Sequence, residues 1–409
     1  MYDVLIIGAG ASGLVTAIVT ARKGKKVLIL EKNNKVGKKL LATGNGKCNI
    51  TNQRPTLERF YSQNPKFIAQ LFKGYTYQSV KQFFKTIGLE LIEGKEGKVF
   101  PMSLQASSVV ELLEAECEEL GVKIICNSEV TKVNNFSDGY KKVIHTLGCE
   151  KVQSLVIATG HLSAPQLGGI EAGIVFAKKL GHQTIKPFPT LVQLTSQVNN
   201  LKEMAGVKVE SRVTLKHKKG SIQKQGDVLF TSYGISGLAI LDISRFVMQE
   251  LLHTPTITLE IDLMPKISHE QIVALMKKSL VKKSQKSIKI WLQGFINKKL
   301  ITPILKPLKL EQKTVGSITL SEISVIVKKI KCFEFPINGS RGYKGAEVAT
   351  GGVDTKEINP LTMESKKHKG LYFTGEVLDV DGDRGGFNLH FAWVCGLQAG
   401  EAIGKNSIK

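Results

Sequence analysis

The sequence predicts an α/β protein. A Rossmann-like dinucleotide-binding domain is carried in two sequence segments, residues 1–190 and 336–409. Between them lies an inserted β-rich domain with a helical part, residues 191–335. Three observations lead to this reading. A glycine fingerprint joins two apolar strands at the start of the chain. The segment Pro187-Phe188-Pro189-Thr190 breaks the pattern, and glycine-rich α/β character returns from about 336.

The first element is Val4-Leu5-Ile6-Ile7, an uninterrupted apolar run of the kind found in a buried parallel strand. Gly8-Ala9-Gly10-Ala11-Ser12-Gly13 follows at once. In such a GxGxxG, Gly8 allows the tight turn, Gly10 lets a pyrophosphate approach, and Gly13 lets the next helix pack close to the strand. That helix carries Leu14, Ala17, Ile18 and Ala21 on one face and ends at Gly24. Val27-Leu28-Ile29-Leu30 is the second strand, closed by Glu31, which lies 18 residues after Gly13. An acid there accepts hydrogen bonds from a ribose diol and repels a 2′-phosphate. The helix N-terminus adds free N–H groups and a positive dipole for phosphates.

The loop 37–52, dense in Gly, Asn and Lys, suits a polar or anionic ligand. Residues 109–120 are amphipathic and lead into a strand at 122–126. The run Leu155-Val156-Ile157-Ala158-Thr159-Gly160 is a buried strand ending in a small-residue turn, where α/β sheets bind ligands. A second glycine run, 168–173, has no preceding strand and reads as helix packing. In the insert, strands at 207–215 and 256–263 bracket Tyr233-Gly234-Ile235-Ser236-Gly237, and a lysine-rich helical stretch runs over 269–300. Its lysines alternate with Leu275, Leu280, Ile288, Trp291 and Phe295, as on a solvated helix face. In the last segment, a strand, the Gly375-Glu376 turn and the Gly385-Gly386 helix start offer another set of free N–H groups.

Composition sets outer limits. The chain has 409 residues, 57 Lys+Arg, 35 Asp+Glu and a formal charge of +22. Its 42% hydrophobic content excludes a disordered chain. Six cysteines without CxxC or Cys/His spacing exclude a disulfide scaffold and a zinc site, and no metal is expected. No basic leader or apolar run of membrane-spanning length is present, so a soluble, cytoplasmic protein is expected. The charge points to an acidic partner: nucleic acid, a membrane surface or an anionic substrate.

These residues resemble the BaiN/YhiN-like, or aminoacetone-oxidase-like, FAD-dependent oxidoreductases over nearly the whole chain. The likeness is strongest in 8–13, in 37–52, in Thr362-Met363-Glu364-Ser365-Lys366 and in 375–388. The 370–376 stretch is also similar to the carboxyl-terminal segment of fumarate-reductase-type flavoproteins. The resemblance implies a two-part, Rossmann-like FAD-binding domain, non-covalent FAD, and an insert that covers the substrate. It implies cofactor contacts from Gly8, Ala9, Gly10, Ser12, Gly13, Glu31 and Lys32, with Glu31 on the adenosine ribose. Lys39, Leu40, Thr43, Gly44, Lys47, Cys48 and Asn49 would run beside the flavin. Val130 would lie by the adenine, and Thr159 and Gly160 near the cofactor. Gly375, Glu376, Asp379, Gly386, Phe387 and Asn388 would follow the ribityl and isoalloxazine. Lys47 stands where the family usually has Arg, and Phe387 where it has Tyr, which bears on the substrate.

No nucleophile–base pair stands out. Cys48, in a basic loop that could lower its pKa, and Arg384, which could meet an anionic substrate or charge on reduced flavin, are the catalytic candidates. Cys48 is also readable as packing beneath the flavin, and Arg384 as a surface residue at a helix start. With no second Rossmann unit visible, NAD(P)H is expected only as a transient reductant, or another carrier completes the cycle. The leading expectation is hydride transfer to or from a small organic substrate. The rivals are an RNA (tRNA)-modifying flavoprotein gripping phosphates through its basic insert, and a flavin-binding protein without turnover.

Overall fold

A computed structural model describes residues 1–135, 139–199, 201–217 and 220–405. The chain forms two compact units, Met1–Phe188 with Glu347–Lys409, and Pro189–Ala346.

The first unit is built on a five-stranded parallel sheet. The strands are β1 (Val4–Ile7), β2 (Val27–Leu30), β3 (Lys123–Ile125), β4 (Ser154–Ile157) and Leu371–Phe373. Their order is Leu371–Phe373, β4, β1, β2, β3, so β1 is central. Leu5 pairs in register with Leu155 on one side and Leu28 on the other. All four residues of β1 and of β2 are buried, because helices cover both faces of a parallel sheet. Helix α1 (Ala11–Ala21) is buried from Ser12 to Thr20, which explains its apolar composition. It packs against the final helix, Phe387–Lys405. A Cβ at Gly396 would lie 2.7 Å from the Ser12 carbonyl oxygen, and one at Gly400 2.6 Å from the Val19 Cβ, so glycine permits that close crossing. An antiparallel meander of Val130–Asn135, Lys141–His145 and Gly148–Val152 lies between β3 and β4 in sequence.

The second unit has a seven-stranded sheet ordered Phe333–Ile337, Ile257–Asp262, Lys208–His217, Gly220–Thr231, Gly234–Ser236, Leu194–Thr195, Gly339–Ser340. Because Phe333–Ile337 pairs with Ile257–Asp262, this unit runs on past 335 to Ala346. The strand Gly220–Thr231 has too polar a first half to be read from sequence. It forms because it closes a ten-pair hairpin with Lys208–His217. The lysine-rich stretch is not one helix. It breaks into His269–Lys278, Ile288–Leu292 and Lys298–Leu305. Lys283 sits at φ +57°, and the Ser287 and Asn297 side chains cap the second and third helices. Ile272, Met276, Ile288, Leu292 and Ile304 are fully buried in this unit's own core. Among the described residues no helix is long and apolar enough to cross a membrane.

Candidate dinucleotide and redox site

The carboxyl end of the parallel sheet gathers the glycine turns. Gly8 is at φ +105°, and a Cβ there would lie 2.6 Å from the Ala158 carbonyl oxygen on the neighbouring strand's end. A Cβ at Gly13 would overlap the Gly8 carbonyl oxygen. Both are glycines because protein fills the space. Gly10 differs: a Cβ there would meet nothing within 4 Å. It is the N-cap of α1 and no side chain caps that end. First-turn N–H groups thus face open space, as a pyrophosphate requires.

Glu31 closes β2 and is 8% exposed. Its Oε2 accepts from Ala9 N–H at 2.8 Å, and its Oε1 from Asn33 N–H at 2.8 Å and Asn33 Nδ2 at 2.6 Å. The carboxylate is therefore fixed against the fingerprint turn. Its carbonyl oxygen accepts from Ser128 N–H, which leads the chain to buried Val130. Lys32 beside it is half-buried.

The loop 37–52 is tied to the same turn through Gly37 N–H and the Ala9 carbonyl oxygen, 2.9 Å. Lys39 Nζ then donates to Ser163 Oγ at 2.6 Å and to Glu376 Oε2 at 2.7 Å. One side chain joins three distant segments. A Cβ at Gly160 would come 3.9 Å from that same Glu376 oxygen. Gly375, at φ +74°, sits over Ser12, whose Oγ donates to the Thr374 carbonyl oxygen at 3.3 Å. Further along, Asn49 is oriented to accept from Gly386 N–H at 3.1 Å and donate to the Thr51 carbonyl oxygen at 3.0 Å. Asn52 Nδ2 reaches the Gly385 carbonyl oxygen at 3.1 Å.

Other named residues make the following contacts within the protein. Leu40 is buried, and Thr43 Oγ1 donates to its carbonyl oxygen at 2.6 Å. Gly44 takes φ +57° in the loop, and Lys47 is exposed. Phe387 is buried, its ring under the Arg59 guanidinium and edge-on to Phe60. The Asn388 amide clamps Gly382 through both its oxygen and its nitrogen. Asp379 Oδ2 accepts from Gln63 N–H at 2.9 Å. Thr159 Oγ1 lies against Gly173, where any Cβ would overlap it, and Gly169 is equally close to the Ser163 carbonyl oxygen. The 168–173 glycines are thus packing residues.

Cys48 corrects an expectation. The basic loop does not lower its pKa. The side chain is fully buried, and burial pushes the thiol up to about 11 despite a hydrogen bond with Thr43. Arg384 is half-buried near Glu96, whose carboxyl is held below its usual range by Lys98 first and then by Arg384 and Arg59.

Sequence reasoning missed two neighbours of Lys39 and, elsewhere in the unit, a Ser–His–acid chain. Ser163 is the second acceptor for Lys39. His161 is buried beside Lys39 and Glu376; burial pushes it down to about 4, and its Nδ1 accepts from Leu162 N–H. Ser365, His182 and Glu357 form a Ser–His–acid chain of 3.0 and 2.9 Å. Ser365 is buried and its Oγ already accepts two backbone N–H groups, so the chain is structural. Among the described residues no His/Cys/Asp/Glu cluster suits a metal.

The Rossmann-domain description of HI0933-like proteins matches residues 2–402. The chain belongs to the HI0933-like family. It is 33% identical over 407 residues to a 3-dehydro-bile acid Δ4,6-reductase of Clostridium scindens, covering 98% of this chain and 99% of that one. It is 35% identical over 395 residues to a ribosomal RNA dihydrouridine synthase of Haemophilus influenzae, covering 95% of each. Among solved structures, the open conformation of a flavocytochrome c3 fumarate reductase shares the fold, with a TM-score of 0.51 and 17% identity over 99% of this chain and 78% of that one. The fold is thus the FAD-binding Rossmann type, and this member of the family is an FAD-dependent oxidoreductase.

Proposed function

We propose that the protein reduces a carbon–carbon double bond conjugated to a carbonyl group. The observation that carries this reading is a chemistry common to the two relatives described above, each matched over nearly its whole length. A 3-oxo-Δ4,6 steroid and a uridine base both hold a C=C bond conjugated to C=O. Each is saturated by hydride at the carbon remote from the carbonyl and a proton at the adjacent carbon. FAD, when bound, supplies the hydride.

The chain's own residues bind and orient. In this reading the uncapped start of α1 and the open face of Gly10 take the pyrophosphate. Glu31 accepts from the ribose hydroxyls. The Lys39–Glu376 pair holds the 37–52 loop against the Gly375 turn. Asn49 fixes Gly386 at the start of the last helix. Arg384 stays as the candidate for an anionic substrate group, and Cys48 is assigned to packing. We propose NAD(P)H as a transient reductant, since the described residues contain one dinucleotide fingerprint and the second glycine run is packing.

The test is spectroscopic. The purified protein should show flavin absorption, bleach anaerobically with NADH or NADPH, and reoxidise with a 3-oxo-Δ4 steroid or with an unmodified ribosomal RNA transcript. Saturation of the acceptor is read by mass spectrometry as a gain of two hydrogens. Failure of both acceptors to reoxidise the flavin overturns the reading.

A further inference from the structure

We propose that residues 271–310 of the second unit form a docking surface for the phosphate backbone of folded RNA. This rests on the conjugated-bond reading and selects, among acceptors of that chemistry, a uridine held in RNA.

The charge is concentrated. Pro189–Ala346 holds 25 Lys+Arg against 11 Asp+Glu, so +14 of the chain's +22 lies there. Between Glu270 and Glu311 stand ten lysines and no acid. The fold turns these lysines outward. Ile272, Met276, Ile288 and Leu292 are fully buried, while Lys277, Lys278, Lys282, Lys283, Lys286 and Lys298 are exposed. Elsewhere in the unit lysines meet carboxylates: Lys208 with Asp227, Lys216 with Glu260, Lys313 with Glu322, Lys331 with Asp262. Within the stretch, Lys289 alone among the described residues reaches one, Glu311 at 2.9 Å. The positive charge of the other lysines of the stretch is left without a described carboxylate partner. A groove of about 410 Å³ beside it is lined by Lys298, Lys299, Asn297 and Gln293, all able to donate to phosphate oxygens.

The surface also selects the kind of polyanion. Trp291 is 9% exposed, gives its N–H to Ser279 and stacks edge-on with Phe295, so no aromatic platform is free for unpaired bases. A membrane-surface helix needs a continuous apolar face, and the exposed large apolar residues of the stretch, Leu275, Val281 and Ile290, lie one on His269–Lys278, one between helices and one on Ile288–Leu292. Folded RNA, bound through its backbone charge, fits what remains.

The test uses the full-length flavoprotein and in vitro ribosomal RNA transcripts, with binding measured against salt. Each phosphate deprived of its lysine lowers the slope of log K against log salt by about 0.9. The combined variant Lys282→Gln, Lys283→Gln, Lys286→Gln should flatten that slope by roughly 2–3 and weaken binding on the order of 100-fold at physiological salt. Its flavin content and circular dichroism should be unchanged. A control with Lys66→Gln, Lys73→Gln and Lys85→Gln on the first unit should leave binding near wild type. The proposal is overturned if the 282/283/286 variant keeps the wild-type slope, or if the protein binds phosphatidylglycerol vesicles in preference to RNA. The two ideas fail separately. Salt-sensitive RNA binding without flavin reoxidation by either acceptor sinks the chemistry and spares the surface. Dihydrouridine formation with an unchanged slope in the variant does the reverse.

Discussion

Iodoacetamide added to the native protein at pH 8 should leave Cys48 unmodified while Cys149 reacts. Cys149 is exposed and Cys48 is fully buried. A thiol at its ordinary 9.0 is about one-tenth ionised at pH 8, and one raised to about 11 is about one-thousandth ionised. Ionisation alone therefore slows Cys48 roughly 100-fold, before steric exclusion of the reagent is counted. Peptide mapping by mass spectrometry over a time course reads both sites in one sample. The same experiment in guanidinium should bring Cys48 to the rate of Cys149. The sign in pH follows: the raised thiol favours the fold below about 9, and that contribution fades as pH climbs towards about 11. Native-state modification of Cys48 at a rate comparable to Cys149 would refute the packing role and restore it as a reactive group.

Three further outcomes are expected. Gly8→Ala forces a side chain into φ +105° and against the Ala158 carbonyl, and should cost about 1–3 kcal/mol in thermal or chemical unfolding together with loss of bound flavin. Lys39→Met and Glu376→Gln, made singly and together, should give non-additive losses of flavin affinity with a coupling of about 1 kcal/mol, modest because both side chains are partly exposed; additive losses measured by fluorescence titration would mean the pair does not hold the loops. His390 is buried and pushed down to about 3 by that burial, so it stays neutral in the fold and must charge on unfolding. Its stabilising contribution is complete above the ordinary 6.5 and is lost as pH falls towards about 3, so denaturant titrations of wild type should lose stability between pH 6.5 and 4.5, and His390→Asn should flatten that limb by roughly 2 kcal/mol.

The parts readable from sequence were those where neighbours along the chain carry the reason. Val4–Ile7 and Val27–Leu30 are unbroken apolar runs because both sheet faces are covered, Gly13 is forced by the Gly8 carbonyl oxygen five residues earlier, and Gly8 is marked by the positive φ of its own turn, although the backbone it would strike, Ala158, lies far along the chain. The site's assembly was not local. Lys39 and Glu376 meet across 337 positions, and nothing in either segment names the other. Ser163 and His161 carry no motif, so their place beside Lys39 followed only from the turn that ends β4. Gly220–Thr231 reads as polar because the hairpin ladder with Lys208–His217, not a hydrophobic face, holds its first half. The apparent long lysine helix misled because buried Ile288, Trp291 and Leu292 keep the spacing of one helix while Lys283 and the capping residues Ser287 and Asn297 interrupt it.

The sheet order has a consequence for synthesis. Leu371–Phe373 pairs with β4, and Phe387–Lys405 covers α1, yet both follow the whole of Pro189–Ala346 in sequence. As the chain leaves the ribosome, the second unit is complete while the first still lacks an edge strand and the partner of its fingerprint helix. The face of α1 that meets this helix waits while the roughly 365 residues between Ala21 and Phe387 are translated, a few tens of seconds at typical rates. The nucleotide-binding unit is therefore completed only once Phe387–Lys405 has been made. Chaperone demand should fall on the amino-terminal portion, and a supply of FAD acts on newly made molecules at a single late checkpoint.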